Sequence, residues 1–415
     1  MNKVIKLTGV ATISIGILFF GAGFLKQALH RSHHQTFPSS ALVDLGTDDP
    51  AWVQLIDPLF GDSVNVELSL LPTKTGGYLL TYQYRHFQNH RHFTIYVTTD
   101  SLGNVIQHCP MPEPIHYVRS YSMVDSKGNF IFLGYIRKIR EDRYSSESFS
   151  FAKLDPKMQL QWVYGYGKRS GYSYSNCALE RPGGGWYILG QEEIHQNAIN
   201  ILLMSVDSTG KELWRNNYSF GEMNSAFLMT RATDDDIFIT SNYYSNNSPQ
   251  DWNGVLMKIN PKGEIVWNKF INSTSFEMIH AIVTFDDGTG FLGIRYGDPV
   301  TLQIYTKLIP FSPDGNLGKE ISLKTIGDDE LINFKKKSEN NFFALSNTRD
   351  KTGRSCTLWN ISRDGEMIWR KSFLDGYDTL GGNFIFSDHG IVIVLYVKSK
   401  NKDDVGGKIA LVKYK

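Results

Sequence analysis

From residue 51 to the C-terminus the apolar positions fall in short runs of strand length, broken by clusters of Asp, Asn, Ser and Gly. No stretch there sustains the 3.6-residue apolar period of an amphipathic helix, so helical solenoids are excluded. The pattern is clearest near the middle of the chain, where Ser225–Ala232, Ile237–Tyr243, Gly254–Ile259 and Ile265–Ile271 predict four strands. Asp/Gly clusters between the first and second strands supply the positive φ of a tight hairpin.

The four-strand unit recurs. VDSTGKELW (Val206–Trp214), INPKGEIVW (Ile259–Trp267) and ISRDGEMIW (Ile361–Trp369) share a small polar residue, a Gly three positions later and a Trp four beyond it. LDPKMQLQW (Leu154–Trp162) has Met158 in place of the glycine, and TDSLGNVIQ (Thr99–Gln107) and FSPDGNLGK (Phe311–Lys319) are weaker copies. The copies end at residues 107, 162, 214, 267, 319 and 369, a period of 50 to 55, and Trp52 fits as an earlier member. A second marker, a turn followed by an apolar run, keeps the same phase at Gly76-Gly77-Tyr78, Gly128-Asn129-Phe130, Gly184-Gly185-Trp186, Asp235-Asp236-Ile237, Gly290-Phe291, Asn340-Asn341-Phe342 and Gly390-Ile391. Four antiparallel strands per repeat of this length predict an all-β chain, a seven-bladed β-propeller over residues 51–415. The chain stops after Lys408–Lys415, one strand short of a full unit, and Ala51–Leu55 is the expected replacement, a clasp of N- and C-terminal strands.

The N-terminus reads differently. Residues 7–25 are uncharged, with Lys3 and Lys6 before them and Lys26 and Arg31 after. As a helix these nineteen residues would span roughly 28 Å, close to a bilayer's hydrocarbon core. The sequence therefore predicts one transmembrane anchor within residues 1–28, with a cleaved export signal as the alternative, then a tether over residues 29–50. Either way the propeller is expected outside the cytoplasm, in the cell envelope.

Composition changes this picture little. With 43 Lys+Arg against 42 Asp+Glu, the net charge of +1 gives no reason to expect nucleic acid as a partner. The three cysteines, Cys109, Cys177 and Cys356, make neither a disulfide framework nor a CxxC metal site.

The repeat resembles that of bacterial quinoprotein-like (PQQ-repeat-like) propellers, in which an Ala-x-Asp-x-x-Thr-Gly-x-x-x-Trp pattern joins neighbouring blades. Asp207, Gly210 and Trp214 match it, as do Asn260, Gly263 and Trp267, and Ser362, Gly365 and Trp369. The resemblance implies that the Asp and Gly shape a turn and that Trp52, Trp162, Trp214, Trp267 and Trp369 pack between blades. It implies the fold and no chemistry. Some alcohol-oxidising members carry a disulfide of adjacent cysteines beside the quinone, whereas here the nearest two cysteines are 68 residues apart. No cofactor is expected.

Candidate chemistry is sparse. His86, His90 and His92 alternate with Arg85 and Arg91 in RHFQNHRHF. They would share a metal only if the loop curled round it, and the arginines oppose a divalent cation, so a polar loop is the preferred reading and a metal site the weaker one. The acidic runs Asp234–Asp236 and Asp286-Asp287 sit where the repeat needs hairpin turns. On the face of the loops between second and third strands, a basic arc that includes Arg137, Arg140, Arg349 and Arg354 is expected opposite Glu192, Glu193 and Asp251. The aromatics Tyr243, Tyr244 and Trp252 lie close to that acidic arc, and such a surface suits a protein or glycan partner. His116, Tyr172, Asn224 and His280, from the first strands and their entries, are the candidates for a site lining the central channel. The expected function is a membrane-tethered binding scaffold for an envelope protein or glycan. The alternative is a propeller enzyme of sugar, lactone or quinone-linked chemistry with its site at the channel mouth.

Overall fold

The computed structural model describes residues 50–414 apart from the short segments 59–63, 86–91, 113–116, 141–142, 167–172, 196–197, 245–251, 272–275, 298–303, 324–327, 352, 374–376, 388–389 and 401–406. The apolar run 7–25 and the tether up to residue 49 lie outside the described residues, as does His116. Among the described residues there are 28 strands, and no helix is long and apolar enough to cross a membrane.

After β1 (Trp52–Ile56) the strands come in fours that pair in chain order. The first sheet is β2 (Val64–Pro72), β3 (Tyr78–Arg85), β4 (His92–Thr99) and β5 (Val105–Pro110). The next is β6 (Tyr117–Val124), β7 (Phe130–Arg140), β8 (Arg143–Leu154) and β9 (Leu160–Tyr166). Then come β10 (Ser173–Glu180), β11 (Trp186–His195), β12 (Ala198–Val206) and β13 (Glu212–Tyr218). They are followed by β14 (Met223–Arg231), β15 (Ile237–Tyr244), β16 (Asn253–Ile259) and β17 (Ile265–Ile271). One parallel bridge, Ile199 to Met223, joins these last two sets into an eight-stranded sheet. Two further sheets are β18 (Glu277–Thr284), β19 (Gly290–Gly297), β20 (Ile304–Phe311), β21 (Ile321–Leu323), and β22 (Asp328–Ser338), β23 (Asn341–Asp350), β24 (Gly353–Ser362), β25 (Met367–Ser372). The last sheet has only β26 (Tyr377–Ser387), β27 (Gly390–Ser399) and β28 (Gly407–Tyr414) from the C-terminus.

That last sheet is completed by β1, which pairs antiparallel with β28 from Trp52↔Lys413 to Ile56↔Ile409. The first strands of successive sheets also touch in a cycle, β2 to β6, β10, β14, β18, β22, β26 and back to β2. They therefore form an inner wall, with the fourth strands outermost. Middle strands are packed on both faces, so β15 is buried at every position from Ile237 to Tyr243, whereas outer β17 exposes Ile265, Val266 and Phe270. Such two-sided burial is why the second and third strands read as continuous apolar runs rather than alternating ones.

Each repeat residue has a visible task. Asp207 Oδ1 accepts the backbone N–H of Thr209 at 2.8 Å and of Lys211 at 3.0 Å, fixing the turn between third and fourth strands. Asp100, Asp155 and Asn260 do the same in their own turns. Gly263, at φ +85°, lies against the previous sheet: a Cβ there would stand 2.8 Å from the Trp214 ring and 2.3 Å from Asn216 Nδ2. Trp267 meets Gly315 and Trp52 meets Gly103 in the same way, so the N-terminal strand carries the contact from the last sheet to the first. Trp162, with Tyr164, covers Gly210. Tyr166 and Tyr218 add hydroxyl donors to the Gly210 and Gly263 carbonyls, the second at 2.6 Å. Trp369 packs edge-on against Phe343, with ring centroids 5.3 Å apart. The exceptional Met158 also has its reason. The preceding unit ends in Gln107 rather than Trp, and the Met158 side chain, buried at φ +64°, fills the space against Met111 and Leu160.

Candidate functional site

Every inner strand carries an irregularity at the same level, and each makes the strand bend as a β-bulge does. In β10, β14, β18, β22 and β26 the extra residue is Asn176, Phe227, His280, Ile332 and Gly382 respectively. Longer irregularities fall between Asn65 and Ser69 in β2, and between Val118 and Ser122 in β6. The second strand of the preceding sheet clamps this point. Asn242 accepts from Ile279 N at 2.8 Å and donates to Ile279 O at 3.2 Å, and Asn347 does the same with Gly381 at 2.7 and 3.2 Å. A side-chain amide matches a backbone amide in both directions, so it holds a bulge whose sheet partner is missing.

His280 is therefore set on the inner wall, between Phe227 of the preceding inner strand, ring centroids 5.3 Å apart, and Glu330 of the following one. Its Nδ1 lies 3.9 Å from Glu330 Oε1, and its side chain is 13% exposed against 48% for Glu330. Burial, reinforced by the nearby Arg295 guanidinium, pushes the His280 imidazole down to about 4, so it is neutral near pH 7. Arg295 stands in β19 opposite Met278, and neither Arg295 Nε nor His280 Nε2 has a hydrogen-bond partner among the described residues. The channel reading of His280 thus acquires two neighbours, Arg295 and Glu330. Sequence inspection missed both because pairing register, not spacing, brings them together.

The aromatic candidates separate. Tyr244 and Trp252 form a tilted pair with centroids 5.3 Å apart at the end of β15, both partly exposed. Tyr243 points to the other face and is 9% exposed, packed edge-to-face on Phe270 at 5.7 Å and near Phe220 at 6.3 Å. Phe270 itself is 45% exposed, so the aromatic group reaches the surface through a residue the sequence reading did not single out.

The acidic arc is smaller than expected. Glu192 is 3% exposed within β11, where it faces Ser173 and Asn200 in register, and its carboxylate meets Arg215 at 3.8 Å and Asn217 at 3.4 Å. Strand pairing runs further toward the loop face than the turn signals implied, and this carboxylate is drawn inside. Asp251 lies outside the described residues. On the basic side, the strand pairings place Arg137 and Arg140 near the tip of the β7–β8 hairpin, with Arg140 opposite Arg143. Arg349 and Arg354, both exposed, face each other at the tip of β23–β24. Of the histidine cluster, His86 and His90 lie outside the described residues, and His92 opens β4 opposite Arg85. No group of three metal-ligating side chains occurs among the described residues. The acidic runs behave as turn residues: Asp234 and Asp235 take φ of 60° and 62°, and Asp287 accepts from Thr289 N at 3.0 Å.

No protein-family model matches the chain, and no curated protein sequence matches it. Solved structures do. An ulvan lyase, a polysaccharide lyase solved with a bound GlcA–Rha3S saccharide, superposes with a TM-score of 0.55 at 11% identity, over 85% of this chain and 95% of that one. A protein of unknown function from Dyadobacter fermentans gives 0.51 at 9% identity, over 88% and 99%. A puromycin hydrolase gives 0.52 at 10% identity over 84% of this chain but 54% of its own. At such identities the likeness carries the fold alone, which is all-β and propeller-like.

Proposed function

We propose that the chain is a seven-bladed propeller closed by the β1–β28 pair, held at the extracytoplasmic face of a membrane by residues 7–25, and that it binds a glycan in the cell envelope. The observation that carries the glycan reading is the surface aromatic group of the β14–β17 sheet. Tyr244 and Trp252 on one side, and exposed Phe270 backed by Tyr243 and Phe220 on the other, offer flat apolar faces beside polar loop backbone. Such surfaces stack on the C–H faces of sugars while hydroxyls find polar neighbours. The ulvan lyase likeness supports it as a precedent for saccharide binding on a similar fold.

The test is a glycan array probed with the full-length chain in detergent, beside a variant with Tyr244→Ala and Trp252→Ala. Tyr243 is left intact because it belongs to the core. Binding to a defined set of glycans, reduced at least tenfold in the variant, is expected. Capture of one envelope protein at near-equal amounts, with no glycan bound, would replace this reading by the protein-scaffold one. An enzymatic reading is favoured by one observation, the neutral His280 beside Glu330 and Arg295 on the inner wall.

A further inference from the structure

The fold explains most of its buried polar groups: the turn acids hold backbone amides, and the amide clamps hold the bulges. His280 Nε2 and Arg295 Nε are buried and do neither. Arg295 also lacks a carboxylate within ion-pair distance among the described residues, although Glu330 is close enough to His280 to meet its other nitrogen at 3.9 Å. A half-exposed carboxylate thus lies beside the imidazole on the inner wall, with the Phe227 ring alongside, and Arg295 stands one strand out in β19, opposite Met278 and two residues from His280 in register. Arg295 is only partly buried, yet its Nε is left without the partner that a buried guanidinium donor needs.

We infer that Arg295 and His280 form an anion-recognition subsite on the inner wall, which takes the carboxylate or sulfate of a hydroxylated ligand such as an acidic sugar. The planar guanidinium offers the paired donors that an oxyanion accepts two at a time. Neutral His280 contributes one hydrogen bond through Nε2, and Glu330 accepts a neighbouring hydroxyl. Glu330 also repels a bare inorganic anion, so hydroxyls beside the charged group are part of what the site selects. Phe227 presents an apolar face to the ring carbons. The site stands on residues other than the aromatic group of the β14–β17 loop edge and does not depend on it.

Calorimetric titration of the full-length chain in detergent with sodium glucuronate, glucose and sodium sulfate tests the assignment. Glucuronate binding is expected, with glucose silent, sulfate at least tenfold weaker, and glucuronate weakened at least tenfold by Arg295→Gln. Undiminished binding in R295Q would overturn it, as would sulfate binding as tightly as glucuronate, which would mean an adventitious ion only. A readout free of folding effects comes from the wild-type chain labelled with 15N-histidine: glucuronate should shift the His280 imidazole signal, identified with H280Q, and an unmoved signal overturns the site. The Y244A/W252A variant separates the two readings. It should keep glucuronate affinity even if its glycan-array signal is lost, and loss of both would move the anion to the aromatic edge.

Discussion

At the scale of single residues, Gly263 and Gly76 make a controlled pair. Both have positive φ, +85° and +81°, but a Cβ at Gly76 would meet nothing within 4 Å, whereas one at Gly263 would strike Trp214 and Asn216. Gly76→Ala should cost about 1 kcal/mol of backbone strain alone. Gly263→Ala should cost about 1–3 kcal/mol more, because the Trp214 ring must move in a packed interface. Thermal unfolding of the two variants measures the difference, and equal losses would show that the Trp–Gly contact is not what the glycine serves. The repeat made the turn residues legible, since Asp, Gly and Trp recur at constant spacing. Met158 was legible only as an exception; that its side chain is buried in one core cluster with Leu71, Leu79 and Met111 of the first sheet shows only in the structure.

Among the elements, β1 matters out of proportion to its five residues. It covers the open side of β28 and brings Trp52 onto Gly103 of the first sheet. Deleting residues 52–56 should expose the β28 edge and leave empty the buried space that Leu55 and Ile56 fill. The loss is on the order of 5 kcal/mol or more from the buried side chains alone, with aggregation through the bare edge. Size-exclusion chromatography and thermal melts check this, and a monomeric variant with unchanged melting would mean that β1 does not hold the fold together. The strands of β14–β17 and the two terminal strands were predicted to within one or two residues. The inner-strand bulges were not, because an extra residue leaves no mark on local composition and shows only when two strands are laid in register.

For the whole molecule, two histidines give stability a pH dependence. His108, hydrogen-bonded to Tyr82 at 2.8 Å, and His280 are both pushed down to about 4, chiefly by burial, from an ordinary value of 6.5. Between those limits the unfolded chain binds protons that the folded chain refuses, so stability is full above about 6.5 and falls as pH is lowered toward 4. The slope is at most about 1.4 kcal/mol per pH unit for each histidine. Carboxylates held low in the turns, such as Asp207 and Asp287, lose their contribution only at more acid pH, so the two effects separate. Melting temperatures from pH 7 to 4.5 should fall in the wild type and fall less in H108Q/H280Q. A wild type as stable at pH 4.5 as at pH 7 would contradict the neutral burial of both rings.

The sequence by itself determined the all-β class, the repeat length, the turn chemistry and the pairing of the chain's two ends, because each is a local signal copied several times or a count of strands. Tertiary structure alone decided which polar side chains are used up by the fold and which are left over. Tyr243 and Tyr244 are neighbours in sequence but point to opposite faces, one into the core and one toward Trp252. Glu192 reads as a loop acid until strand pairing carries it inside. His280, Arg295 and Glu330 come from three strands: the register and bulge of β18–β19 set the first two, and only the approach of β22 brings Glu330 beside the histidine. Such a site is set by long-range register, on which spacing along a single chain has no purchase.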